Sequence, residues 1–243
     1  MNPFDKTDDP RRRWLIQALG AGFFSTLPMA QTMAQIFGSK PGKLPEGRSI
    51  YRLQGNVLVD SKAATLETPI KPTSTIETPK DGEIVYISGG NSYIQRGSSR
   101  VELEFAQRPD SSFAAGLRLV AGALLSVFPR GTPMQLKTTT ATVGIRGTGV
   151  YLEADPEQTY FCTCYGVADV SANNDPESRE TVVAKHHDKP LYIVSGAQRG
   201  NSIRRAPFVN HTDQELMLVE TLVGRTPPFV FPKEDYGGPR RDY

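Results

Sequence analysis

The chain has 243 residues, enough for one domain with extensions or for two small domains. Hydrophobic residues make up 38% of the sequence and charged residues 22%, values that are typical of globular proteins and argue against wholesale disorder. The 28 basic and 26 acidic side chains leave a formal charge of +2, so a dedicated nucleic-acid binder is not expected. The 22 glycines and 19 prolines favour a turn-rich β architecture.

The N-terminus has the layout of an export signal. Basic residues precede a mildly apolar stretch over residues 14–30, and small residues near position 34 offer a cleavage position. Arg11 and Arg12, a spacer and then Trp14-Leu15 resemble a twin-arginine signal. This pattern predicts a signal peptide over residues 1–34 and a periplasmic mature chain. The alternative, an amphipathic helix on a cytosolic protein, would need a polar face that residues 14–30 lack.

Short β-type runs follow a Gly/Pro-rich linker that we predict over residues 35–47. No apolar run in the sequence reaches the roughly 20 residues of a membrane-spanning helix, so we expect none in the mature chain. The predicted strands are separated by turn signals such as Asp81-Gly82. They cover residues 49–53, 56–59, 73–77, 83–87, 92–95 and 100–105.

The centre and the C-terminal part continue the strand series. Residues 117–128 are helical by propensity, but the glycines favour two strands with a turn at Ala121-Gly122. Residues 138–153 are rich in β-branched side chains and predict two strands joined at a corner. Further strands are predicted over residues 159–164, 166–171, 178–184 and 191–194.

A single helix is predicted, over residues 213–223. Thr212 and Glu215 form the pattern of a capping box, and an apolar stripe follows at helical spacing. Gly224 is placed to end the helix, with Pro227 beyond it. Residues 233–243 are polar and predict a flexible tail.

Residues 122–152 carry a pattern that resembles a known family, the FecR domain, an extracytoplasmic β-domain first associated with regulators of ferric-citrate uptake. The pattern comprises Gly122, Leu124, Val127, Thr140, Ala141, Val143, Ile145, Arg146, Gly147, Thr148, Val150 and Leu152. The resemblance covers about residues 48–154 and leaves residues 155–232 as a C-terminal β extension. It implies a periplasmic all-β fold of solenoid or roll type with no known catalytic residues.

The core of this pattern is Arg146-Gly147-Thr148. A phosphate-cradling loop is not expected here, because such a loop should open a helix and the residues that follow are strand-like. We expect Gly147 to let the chain turn a corner, and Arg146 to tie neighbouring carbonyls or a buried carboxylate.

Both cysteines and all three histidines lie in the last third of the chain. Cys162 and Cys164 would point to one face of a strand, with Cα atoms roughly 6.6–7 Å apart, at or past the upper limit for a disulfide. Three interpretations stay open: a strained or redox-active disulfide, a zinc or copper site completed by imidazoles, and inert buried thiols. His186 or His187 is the favoured further ligand, and His211 is the remaining imidazole.

These observations lead to two functional hypotheses. The first is an exported, non-enzymatic FecR-type protein of the cell envelope with a binding or scaffolding role, and an envelope protein or a glycan as its partner. The second is a periplasmic redox or sensor protein that depends on a metal or on the thiols of Cys162 and Cys164. A hydrolase has no positive support, because no oxyanion motif accompanies a Cys–His pair.

Replacing Arg11 and Arg12 together by lysine should leave the precursor in the cytoplasm, because the twin-arginine route reads that pair. Cell fractionation and immunoblotting measure the distribution. Arg13→Lys, which keeps the pair, is the matched control. Unchanged export of the double variant would exclude this route.

Overall fold

The computed structural model describes residues 42–105, 114–131 and 133–229, which belong to one compact unit. The predicted signal peptide, most of the predicted linker and the predicted tail lie outside the described residues. In the described part, the end of the linker takes part in the fold: Leu44 is buried and its amide donates a hydrogen bond to the carbonyl of Leu222.

The regular structure of the described residues is β, in fifteen strands, apart from one short C-terminal helix, so the all-β prediction is confirmed. The elements are β1 (Ile50–Gln54), β2 (Leu58–Val59), β3 (Lys62–Ala63), β4 (Thr75–Thr78), β5 (Glu83–Ser88), β6 (Asn91–Gln95), β7 (Ser99–Phe105), β8 (Ala114–Val127), β9 (Pro133–Lys137), β10 (Ala141–Arg146), β11 (Gly149–Ala154), β12 (Gln158–Ala172), β13 (Asp175–Ala184), β14 (Leu191–Val194), β15 (Ile203–Arg205) and α1 (Asp213–Leu222). No helix in these ranges has the length and apolarity needed to cross a membrane.

The strands form two sheets. Sheet A has the order β1-β5-β6-β8-β11-β12-β14-β15, and sheet B has the order β3-β2-β4-β7-β8-β9-β10-β12-β13. Among the described pairs only β8 and β9 run parallel, so of the two forms that we expected the arrangement is a roll. Strands on both sides of residue 154 pair within each sheet, and the C-terminal extension therefore completes the same two layers.

Two long strands pass from one sheet to the other. The turn expected at Ala121-Gly122 is wrong: β8 is continuous and bends at Gly122, which has φ +87°. A Cβ atom at Gly122 would lie 2.1 Å from the Ser99 hydroxyl, so only glycine lets the strands approach this closely. The runs predicted over residues 159–164 and 166–171 are likewise one strand, β12, which bends at Gly166.

Apolar side chains pack on both faces of sheet A. Its inner face meets sheet B in the main core, where Leu124 and Phe161 are fully buried. Its outer face carries a second apolar cluster that α1 covers with Leu216, Val219 and Leu222. The predicted capping box is present and starts α1 after Thr212.

The corner between β10 and β11 differs from the prediction in one respect. Gly147 has φ +66° as expected, and Thr148 is buried. Arg146, however, is no buried tie: its side chain is 74% exposed and lies 3.5 Å from Asp169. Side chains alternate along a strand, and because Ile145 takes the inward position, Arg146 points to solvent.

Gly147→Val should lower the free energy of unfolding by roughly 2–4 kcal/mol, because a Cβ atom there would lie 2.6 Å from the Arg130 Cα in a left-handed conformation. Gly131→Val is the matched control: Gly131 has φ +85° but open space around its Cα, and should cost less. Arg146→Ala should cost under about 1 kcal/mol. Urea denaturation measures the stability of all three variants. If Gly147→Val were as stable as the wild type, the close packing of Gly147 at this corner would be contradicted.

Candidate metal centre

Strand β12 places both thiols under the C-terminal helix. Cys162 and Cys164 are fully buried in the apolar cluster on the outer face of sheet A, whereas Phe161, which directly precedes Cys162, packs in the inner core. Both cysteines are free thiols in the structure. The prediction that they share one face holds because β12 remains extended through both positions.

Two histidines from separate segments meet the thiols. His187 lies between β13 and β14, where its amide donates to the carbonyl of Cys164 at 3.0 Å and its φ is +53°. His211 directly precedes the N-cap of α1 and stacks on Tyr151, with ring centroids 4.4 Å apart. Both histidines are buried.

The four side chains bring their donor atoms into one small volume. One ligand atom from each of Cys162, Cys164, His187 and His211 lies within 4.8 Å of all the others. His187 Nδ1 lies 3.4 Å from Cys162 Sγ and 3.2 Å from His211 Nε2. Zinc–sulfur and zinc–nitrogen bond lengths in a tetrahedron put neighbouring donor atoms about 3.3–3.8 Å apart. The two distances are close to these separations, as a Cys₂His₂ site requires.

The outer ring nitrogens of both histidines have acceptors. His187 Nε2 lies 3.0 Å from Asp213 Oδ1, and His211 Nδ1 lies 2.7 Å from the carbonyl oxygen of Val209. A carbonyl and a carboxylate accept hydrogen bonds, so these nitrogens carry the ring protons. Outer partners of this kind are the usual support of metal-binding histidines, since they hold the ring and its tautomer.

The inner ring nitrogens of the two histidines are left without protons. His187 Nδ1 and His211 Nε2 face each other at 3.2 Å, each with a lone pair and neither with a proton of its own. Such a pair needs a cation between its members. A metal ion supplies one, and in a metal-free protein an added proton must do so.

The pKa shifts agree with this picture. Burial opposes ionisation of Cys162, but its neighbours Cys164, His187 and His211 outweigh it and hold the pKa of Cys162 well below its usual range. Burial and the neighbouring Cys162 raise the pKa of Cys164. Burial disfavours the charged form of His187, yet Cys162 and Asp213 outweigh it and raise the pKa of His187. These shifts favour the thiolate of Cys162, the form of the side chain that binds metal ions.

His186 has a different place. Its Nε2 lies 2.9 Å from Asp213 Oδ2, and its side chain is 34% exposed and packs on the Phe229 ring. Asp213 therefore bridges His186 and His187, and these three residues form a second group of possible ligands. Of the two histidines favoured from the sequence, the structure brings His187 to the thiols. His186 contacts the site only through Asp213.

Sequence analysis missed the two outer acceptors. The sequence places Asp213 only in the first turn of the predicted helix, although it is fully buried between two imidazoles. The carbonyl of Val209 leaves no signal in a sequence. Asp213 does leave one signal: in His211-Thr212-Asp213, two residues of metal-binding type stand on either side of an N-cap.

Aromatic rings enclose the centre. The ring of Phe208 lies 4.3 Å from that of His187 and 4.6 Å from that of His211, measured between centroids. Tyr160 lines the cysteine face, and its hydroxyl donates to the carbonyl of Pro207 at 3.0 Å. These rings exclude water and strengthen the electrostatic interactions within the site.

Comparisons with known proteins add little to this picture. No family model and no curated protein matches the chain. Two crystal structures of a candidate anti-sigma factor from Parabacteroides distasonis are similar, each with a TM-score of 0.43. One is 13% identical and is matched over 61% of this chain and 73% of its own; the other is 14% identical, over 67% and 82%. This level of similarity transfers no function, and the FecR resemblance stays a prediction.

Asp213→Asn should weaken binding of Zn²⁺ about 10–100-fold, because the amide orients His187 less firmly while all four ligands remain. Competition against a chromophoric chelator measures the affinity. Asp169→Asn is the control and should leave the affinity unchanged, because this carboxylate lies in sheet B and contacts only exposed Arg146 and Thr181 among the described residues. Equal affinities of the two variants would show that Asp213 does not support the site.

Proposed function

We propose that this chain is a non-enzymatic protein of the cell envelope that binds one Zn²⁺ ion through Cys162, Cys164, His187 and His211. One observation carries the proposal: four buried donor atoms converge within 4.8 Å, and both imidazoles are held from behind by acceptors. The arginine pair near the N-terminus supports export to the periplasm.

The donor set favours zinc over other ions. Two thiols and two imidazoles in a tetrahedral arrangement are typical of Zn²⁺, whereas hard cations such as Mg²⁺ and Ca²⁺ prefer oxygen ligands. Copper in its reduced state also accepts thiolates and is the second candidate ion. The oxygens of Asp213 are engaged by His186 and His187, so they support the ligands instead of competing with them.

Closure of the site argues for a binding or scaffolding role. Catalytic zinc sites use three protein ligands and keep one position for water or substrate, whereas structural sites use four. Here four side chains are available and all are buried, so no ligand position remains for a substrate. The partner in such a role is an envelope protein or a glycan.

Metal binding would join three segments that are distant in sequence. The ligands come from β12, from the turn between β13 and β14, and from the residue that precedes the N-cap of α1. Because α1 covers the outer face of sheet A, the binding energy of the ion would hold the C-terminal segment in place. The protein is then complete only when loaded, which suits a metal-dependent scaffold or sensor.

Protein purified without chelators and with its thiols kept reduced should contain one equivalent of zinc by elemental mass spectrometry. Its two thiols should react with a thiol reagent only after chelation, and chelation should lower the melting temperature, because binding energy is folding energy. Cys164→Ser serves as the control that loses the ion without added chelator.

Other outcomes of this measurement are equally informative. Thiols that react only after reduction indicate a disulfide between Cys162 and Cys164. Thiols that react only on unfolding, regardless of chelator and reductant, indicate inert cysteines. Absence of stoichiometric metal from the reduced protein would overturn the proposal.

A further inference from the structure

A cavity of about 660 Å³ opens beside the proposed metal centre. Cationic side chains and rings form much of its wall, and none of its lining residues is a carboxylate. The cationic side chains are Arg130, Arg146 and Lys185, and the rings include His186 and Tyr165.

The cations of this cavity form few close ion pairs. Arg146 has only its exposed contact with Asp169 at 3.5 Å, and neither Arg130 nor Lys185 forms an ion pair within the described ranges. The nearest carboxylates are otherwise engaged. Glu220 binds Arg225 at 2.7 Å and accepts from the Tyr165 hydroxyl.

The nearby carboxylates lie outside the cavity wall, although Asp188 interacts electrostatically with Lys185 and Glu220 with Arg130. Asp188 accepts hydrogen bonds from the amides of Lys185 and His186, and Asp213 is fully buried behind His186. The cavity is therefore a positive concavity, which attracts anions and repels free cations.

His186 connects the cavity to the metal centre. It lines the cavity, and its Nε2 lies 2.9 Å from Asp213 Oδ2. The other oxygen of Asp213 lies 3.0 Å from His187 Nε2, and His187 Nδ1 faces Cys162 Sγ at 3.4 Å. The four ligands are buried while His186 is 34% exposed, so His186 is the imidazole of this hydrogen-bonded series that solvent reaches.

We propose that this cavity binds an anionic metal chelate, an ion held by carboxylate or phosphate groups, and that His186 receives the ion on its way to the buried ligands. The inference rests on the proposed function. A bare divalent cation would be repelled by three positive side chains, whereas the excess negative charge of a chelate is attracted.

The transfer is a ligand exchange. The ion gives up oxygen ligands of the chelator and gains first the His186 nitrogen and then the nitrogens and sulfurs of the centre. Two protons are released to solvent as the ion binds: the thiol proton of Cys164 and the proton shared by the inner nitrogens of His187 and His211. The chelator leaves the cavity as a free anion. No oxidant or reductant takes part.

The experiment follows loading of the metal-free full chain with Co²⁺, whose thiolate complex absorbs visible light. Three sources of the ion are compared at low ionic strength: aqueous Co²⁺, Co²⁺ with excess nitrilotriacetate, and Co²⁺ with excess pyrophosphate. The excess chelator suppresses free ion, and the two chelators distinguish a carboxylate carrier from a phosphate carrier.

Arg130→Gln combined with Lys185→Gln should slow loading from at least one chelate about tenfold while aqueous Co²⁺ loads at least as fast as before. The matched control neutralises two exposed lysines outside the cavity, Lys62→Gln and Lys80→Gln, and should load like the wild type. Added salt should remove the difference between the variants.

His186→Gln should slow loading from every source about fivefold or more and change the equilibrium affinity less than twofold. A side chain with a purely structural role would change the affinity instead. The inference is overturned if the cavity variant loads from both chelates at the wild-type rate, if it is slowed equally with aqueous Co²⁺, or if His186→Gln leaves the rates unchanged. A wild-type chain that never binds Co²⁺ would overturn the proposed metal function itself, and this inference with it.

Discussion

The bend of strand β12 at Gly166 is the constraint on which both the core and the site depend. One half of the strand belongs to sheet A and the other to sheet B, so the same segment closes the roll and carries the two thiols. Because the strand stays extended through residues 162–164, the thiols share the outer face. Because its inner face packs in the main core, that position is rigid. A binding site built on such a strand needs little reorganisation to receive an ion.

Helix α1 both covers sheet A and positions histidines of the site. Its apolar stripe covers the outer face of sheet A, and its first residue, Asp213, holds His186 and His187. A carboxylate at this position also interacts favourably with the positive end of the helix dipole. Packing of the helix and orientation of the histidine ligand are therefore coupled, and loss of either should weaken the other.

The charges around the centre divide between capture and retention in the function that we propose. Buried nitrogen and sulfur atoms retain the ion. They bind Zn²⁺, an ion of intermediate softness, tightly and leave no coordination position for an exchanging ligand. The cavity captures the ion. In contrast to the buried ligands, it is open to solvent and presents exposed cations and one half-buried imidazole. A closed site of this kind exchanges its ion slowly unless a ligand at its edge assists, and His186 occupies that edge.

Local patterns in the sequence determined the all-β class, the strands around residues 83–87, 100–105 and 191–194, and the capped helix, because alternation and capping act within a few residues. They also determined that Cys162 and Cys164 share a face. Local patterns could not place Gly122 in a bent strand instead of a turn, nor Arg146 at the surface, because both depend on which strands lie alongside. Only the tertiary structure selected His187 and His211 and added Asp213, since these residues meet the thiols through the packing of two distant segments on sheet A.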